Sequence, residues 1–388
     1  MSASKNKPDG KMNLLERIVA SYVESRNGRE EERLCALPRD AIVALLRVER
    51  RAIIWSSVAG IVAGAVLGVV EIVFMQGLLE DMRGMTLLEQ APHWAWFLGF
   101  ILLMSGLEVL FLYWNGLRAA ASASRIAGLA LATKTPRSGL LARALGRAAI
   151  DLPNPLEAIH GIDPYARVPR WRIWAWRFMY RLKVGVTSFV LRVFLRRVIG
   201  RTVFRVLIPL LAGPLYAIWN GIITWRIMRE VRIRAFGPFA VRDLRRRIEK
   251  KQALMKKENR LLITAVVGEV VMLSEDAHPS FELLIRGLVD TLDLEPGDIK
   301  VDWCSQRERL GELGLAEKTL LLDAATLACL LDGRISRSEE ELLADAHALC
   351  GLPFEKESLE ESLGKLLNGQ SPFSRSLEEG VDQLAAGR

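Results

Sequence analysis

Residues 52–79, AIIWSSVAGIVAGAVLGVVEIVFMQGLL, decide how the chain reads. The run is apolar apart from two serines, one glutamine and one carboxylate, Glu71. A second run at residues 94–114, WAWFLGFILLMSGLEVLFLYW, also holds a single carboxylate, Glu108. Bilayer hydrocarbon is about 30 Å thick and a helix rises about 1.5 Å per residue, so roughly 20 mostly apolar residues are enough to cross it. Both runs qualify. They predict a transmembrane hairpin over 52–116 and an all-α integral membrane protein.

The rest of the composition fits a chain divided between lipid and water. It has 388 residues, 51% of them hydrophobic and 25% charged, which calls for segregation along the sequence. The net charge of +8 is unevenly spread: residues 164–229 contain no Asp or Glu, while the section after Leu261 is acidic. A basic middle beside apolar segments points to anionic lipid headgroups, and no nucleic-acid partner is expected. Residues 1–11 lack the apolar core and cleavage site of a signal peptide, so the first run is expected to stay as an anchor. Cys35, Cys304, Cys329 and Cys350 form no C-x-x-C pair, which favours a reducing compartment.

Lys and Arg mark the cytoplasmic side of short connections. Arg47, Arg50 and Arg51 precede the first run and Arg118, Arg125, Lys134 and Arg137 follow the second, whereas the connection between them carries Glu80, Asp81 and Glu89 against Arg83. The hairpin therefore reads inside, outside, inside. With a cytoplasmic C-terminus, the chain is expected to be a multi-pass membrane protein with both termini inside.

Ser56, Gly60, Gly64 and Gly68 recur every four positions, a small-residue stripe that lets another backbone approach closely. Its partner is the second run, a third segment or another copy of the chain, so a homo-oligomer is one of the readings. Glu71 and Glu108 are the intramembrane polar candidates, because carboxylates in a bilayer are costly and often functional. They sit in opposite halves of their helices, which separates them by roughly 10 to 15 Å in depth and disfavours a direct relay.

Residues 117–202 read as a basic interfacial region. Trp171, Trp174 and Trp176 interleave with Arg170, Arg172 and Arg177, and Arg177, Arg181, Arg192, Arg196, Arg197, Arg201 and Arg205 form stripes suited to lipid phosphate. Residues 203–229 hold a third membrane-embedded segment that contains Pro209, Gly213, Pro214 and Gly221 and is basic on both flanks. Either it bends near Gly213 and Pro214 and returns to the cytoplasmic side, the preferred reading, or residues 184–199 cross as well despite Arg192 and Arg196. Residues 1–51 are expected to form a cytoplasmic amphipathic region, and 230–260 a basic stalk.

Residues 261–388 show amphipathic helices over 261–273, 279–292, 316–331, 336–350 and 356–367. Pro279 suits a first helical turn, Ser336 with Glu339 a capping box, and Gly351 the position after a helix end. Within this section residues 324–343, AATLACLLDGRISRSEEELL, place an apolar helix, an Asp332-Gly333 turn, Ile335, and Glu339 seven positions after the Asp. This resembles the signature of TerB-like domains, the helical modules associated with bacterial tellurite resistance. The resemblance covers roughly residues 260–370 and implies a cytoplasmic, all-helical adaptor. A suggested metal role for the family's acidic residues would carry over only to Asp332 and Glu339. A complete calcium loop is excluded, since its first two side-chain ligands would be Ala328 and Leu330. A weak second copy of the pattern lies at Leu273–Leu294, with Glu275 and Glu282 in comparable places.

No Walker loop, H-E-x-x-H, G-x-S-x-G or dinucleotide fingerprint is present, so no catalytic residue, enzyme activity or cofactor is expected. The function that follows is a membrane-anchored interaction or scaffold protein whose C-terminal domain binds a protein partner, linked by the resemblance to envelope or metal stress. The alternative is a small transporter or channel subunit using Glu71 or Glu108.

Overall fold

The computed structural model describes residues 14–26, 37–74, 85–129, 131, 136–152, 154, 158–175, 208–252, 255–295 and 301–373. These are helices and turns, with one isolated bridge between Ile159 and Ile162 and no strand among the described residues. Leu14–Arg26 is α1 and Arg39–Val73 is α2. Leu87–Ile126 is α3, whose first turn is closed by Glu89: its carboxylate accepts from the Thr86 N–H at 2.7 Å and from the Thr86 hydroxyl at 2.9 Å. Pro136–Ala149 is α4 and Ile208–Glu249 is α5. Lys257–Leu273, Pro279–Leu292 and Trp303–Gln306 are α6, α7 and α8, the last running into a 3-10 turn at Arg307–Glu312. Leu315–Leu330, Arg337–Cys350 and Lys356–Leu367 are α9, α10 and α11.

The small-residue stripe of α2 faces α5. A Cβ added at Gly60 would lie 2.6 Å from the Tyr216 carbonyl carbon, and one at Gly64 would lie 2.7 Å from Gly213 Cα. Gly221 of α5 comes against Ser57 and Ile53, and Arg232 reaches Glu49 at 2.9 Å. As residue numbers rise on one helix they fall on the other, so the pair is antiparallel. α3 is antiparallel to α2 as well: Phe74 stacks on Phe97 at 4.2 Å between ring centroids, and Asn115 donates to the Ala52 carbonyl at 2.8 Å and to Ser56 Oγ at 2.9 Å. Of the three partners open to the stripe from sequence, the third segment is the one in contact at Gly60 and Gly64.

α5 corrects two expectations. The chain does not turn back at Gly213-Pro214; the helix continues from Ile208 to Glu249 through both Pro214 and Pro238. A proline removes one hydrogen bond of the ladder, and the close fit of Gly213 against α2 holds the chain in place across that gap. The stretch expected as a stalk is also not extended into solvent: Met228, Val231, Ile233, Phe236, Val241, Leu244 and Ile248 are all buried. Two of its arginines reach acids distant in the chain, Arg232 to Glu49 at 2.9 Å and Arg247 to Asp323 at 3.3 Å.

One core therefore runs across the expected boundary at residue 260. It joins Val23 of α1, Ala120 and Ala123 at the end of α3, Leu145 of α4 and the second half of α5 to Phe281, Leu321, Leu343 and Leu366 of the later helices. Part of the region expected to be interfacial belongs to this core too, through Leu141, Ile159 and Ile162. Residues near the N-terminus reach the far end of the domain, where the Leu37 N–H donates to the Gly369 carbonyl at 3.0 Å. The C-terminal helices begin and end within a residue or two of their sequence-read bounds, except that α6 starts earlier, at Lys257.

Candidate functional site

Three arrangements merit attention, and the first lies inside the bundle of α2, α3 and α5. Glu108 and Asn115 stand seven positions apart, on one face of α3, and both are buried. Asn220 of α5 donates to Glu108 Oε1 at 2.7 Å, while Asn115 holds α2. α3 is thus tied by one amide to α5 and by another to α2 in an otherwise apolar interior, where such bonds act as glue. The Glu71 side chain lies outside the described part of the structure, as do Arg177, Arg181, Arg192, Arg196, Arg197, Arg201 and Arg205. Gly68 is buried on the same stripe as Gly60 and Gly64.

The outer surface of this bundle is apolar. Two helical stretches, Arg39–Val70 and Leu88–Ile126, are long and apolar enough to cross a membrane. Val58, Val62 and Val69 on α2, Leu103, Leu107 and Leu110 on α3, and Ile218 and Ile222 on α5 are all exposed. On α3 the belt is bracketed by Trp96 and Trp114, both exposed, whose separation along the axis is about 27 Å at about 1.5 Å per residue. Trp55 and Trp225 are exposed at the Trp114 end, the end nearer the helical domain. Residue 175 is on the domain side, since Arg172 pairs with Glu275 at 3.1 Å. Ile208 stands at the opposite end of the belt, about 26 Å from Trp225 along α5.

The Asp332-Gly333 turn forms the second arrangement. Gly333 has φ of +73°, and its carbonyl accepts from Arg229 of α5 at 2.9 Å. Ile233 fills the space where a Gly333 side chain would project. Asp332 Oδ1 accepts from the Arg334 N–H at 2.9 Å, and Ser336 and Glu339 exchange the two bonds of a capping box, at 2.8 and 3.2 Å. Burial, and then the Glu339 charge beside it, push the Asp332 carboxyl up to about 8. Burial also raises Glu339 above the ordinary carboxylate range, against the opposing pull of its bonds to Ser336. Two carboxylates meet here, and no group of three His, Cys, Asp or Glu able to hold a metal occurs among the described residues. At the suggested second copy, Glu275 has φ of +52° and pairs with Arg172, while His278 caps α7 by accepting from the Ser280 N–H at 3.3 Å.

The third arrangement joins α5 to its neighbours and was not legible in the sequence. Arg234 donates to Glu230 at 2.8 Å, to the Ala144 carbonyl at 2.6 Å and to Asn154 at 3.0 Å. Asn154 donates to both oxygens of Asp276 at 2.9 and 3.0 Å, and the Tyr165 hydroxyl accepts from the Ala277 N–H at 3.2 Å. His278 Nδ1 accepts from Ser280, which leaves Nε2–H to donate to Glu230 at 2.9 Å. Burial alone would raise Glu230, but Arg234 and His278 outweigh it and hold the carboxyl well below its usual range. Burial and the neighbouring Asp276 push Tyr165 up to about 12. The i, i+4 pair Glu230 and Arg234 was the only local signal; the other members lie far apart in the chain. Cys329 and Cys350 are free, buried thiols raised by burial, and they behave as small core residues.

No family model, curated protein or solved structure matches this chain.

Proposed function

We propose that the chain is a multi-pass protein of a bacterial inner membrane that holds a TerB-like helical domain at the cytoplasmic surface, where it serves as an interaction or scaffold module for a protein partner. The observation that carries this reading is the exposed apolar belt, about 27 Å tall between Trp96 and Trp114 and close to the thickness of bilayer hydrocarbon. A surface of that kind is costly in water and ordinary in lipid. With both termini cytoplasmic the number of crossings is even; residues 184–199, the further crossing weighed as an alternative from sequence, lie outside the described residues. The interaction role and its tie to envelope or metal stress rest on the resemblance of the Asp332-Gly333 turn to TerB-like domains.

The transporter reading is less well supported, because Asn220 engages Glu108 inside the bundle as helix-to-helix glue. Membranes washed with alkaline carbonate test the anchor: an integral protein stays in the pellet, and release into the wash refutes it. Co-purification from detergent-solubilised membranes tests the partner. Deletion of residues 261–388 is unsuited to that purpose, since it would bare the buried face of α5. Substitutions at exposed Glu357, Glu360 and Glu361 leave the core intact.

A further inference from the structure

Resting on the membrane reading above, we propose that the domain-side rim of the bundle is a binding surface for anionic phospholipid headgroups. Three helices contribute one exposed tryptophan each, with exposures of 58% for Trp55, 50% for Trp114 and 48% for Trp225. Gly221 lies against Ser57 and Ile53, and Asn115 reaches Ala52 and Ser56, so the three rings fall within about one helical turn of a common level. Immediately on the domain side each helix presents exposed arginine: Arg50 and Arg51 on α2, Arg118 on α3 and Arg226 on α5. The Arg118 guanidinium lies 5.5 Å from the centre of the Trp114 ring.

None of these four arginines has a carboxylate partner among the described residues. Two arginines farther along α5 are paired instead, Arg232 with Glu49 at 2.9 Å and Arg234 with Glu230 at 2.7 Å. Among the described residues, the exposed charge at the other rim is Glu89, an acid. Guanidinium forks match phosphate oxygens, and tryptophan settles at headgroup depth. A zwitterionic headgroup brings its own cation to the phosphate and has less need of the collar, whereas a headgroup of net negative charge complements it. The collar uses no residue of the basic stripes read from sequence between 177 and 205.

The test uses the full chain in phosphatidylcholine nanodiscs containing a fixed fraction of lipid brominated at the top of its acyl chains, with either a phosphatidylglycerol or a phosphatidylcholine headgroup. Tryptophan quenching reports which lipid gathers at the rim. The anionic lipid is expected to show at least about threefold stronger relative association. Replacing all four arginines, as Arg50→Gln, Arg51→Gln, Arg118→Gln and Arg226→Gln together, should remove the preference, and the fourfold change to Lys should keep most of it. Equal quenching by the two lipids, or a preference that survives the glutamines, overturns the lipid site while leaving the anchor standing. Absence of quenching by either lipid overturns the membrane reading as well.

Discussion

The two halves of α5 solve opposite packing problems along a single helix. From Gly213 to Thr224 it meets its neighbours through small residues and a buried amide, and it leaves Ile218 and Ile222 bare. From Ile227 to Ile248 it buries Met228, Phe236 and Leu244, and Arg232, Arg234 and Arg247 find acids within the protein. Where the surroundings are as apolar as the side chains, helices gain by close backbone contact and by polar glue; where water surrounds them, they gain by covering apolar surface. On the proposed membrane reading the bundle and the domain are built for different solvents, and α5 runs unbroken through both, so the turn docked on α5 touches the same helix that packs in the bundle.

The largest expected effect lies on the domain side of that comparison. Arg234→Met leaves the half-buried Glu230 with His278 as its main partner and should cost about 3 kcal/mol, read as a lowered midpoint of thermal unfolding in detergent. A loss below about 1 kcal/mol would mean the network does not secure α5. On the bundle side, Gly64→Leu forces a side chain into the Gly213 backbone and should cost about 1 to 3 kcal/mol. Val62→Leu is the control, since position 62 is exposed. Equal stability of the two would remove the close α2–α5 contact from the account.

The turn between the two regions gives smaller effects. Gly333→Val meets both a positive φ and Ile233, and about 1 to 2 kcal/mol should be lost in the full chain. Asp332→Asn tests the sign of a pH dependence. Its carboxyl is raised from 3.8 to about 8 in the fold, so the folded state holds a proton that the unfolded chain has lost across that interval. Stability of the native chain should therefore fall as pH rises from about 4 to about 8 through this group. Asn cannot ionise and keeps an oxygen for the Arg334 N–H, so Asp332→Asn should flatten that slope and match or exceed the native chain at pH 8. A steeper slope in the variant would contradict the burial of the acid pair.

Local signals carried much of this fold. Thirty-odd apolar residues made α2 and α3 legible, Ser336 and Glu339 announced the start of α10, and Gly351, with φ of +70°, marked its end. Contacts made at long range were hidden. Gly213 and Pro214 read as a bend because a sequence does not show that packing supports the helix across them. The arginines of 229–249 read as a solvated stalk because Glu49 and Asp323 lie far away in the chain. The common level of Trp55, Trp114 and Trp225 exists only once the register of three helices is known. The Glu230–Arg234–His278 cluster likewise needs α5, α4 and α7 in place before its members meet.

The most direct test uses single cysteines in a chain whose own four cysteines have been replaced. Val58→Cys, Leu107→Cys and Ile218→Cys probe the exposed belt, and Ser338→Cys probes the domain. Each is treated with a membrane-impermeant maleimide in intact cells and again after permeabilisation. The three belt positions should resist labelling in both states, covered by lipid, while the domain position should label only after permeabilisation. Ready labelling of the belt in permeabilised cells, or of the domain position in intact ones, would contradict a bundle immersed in the membrane with its helical domain inside.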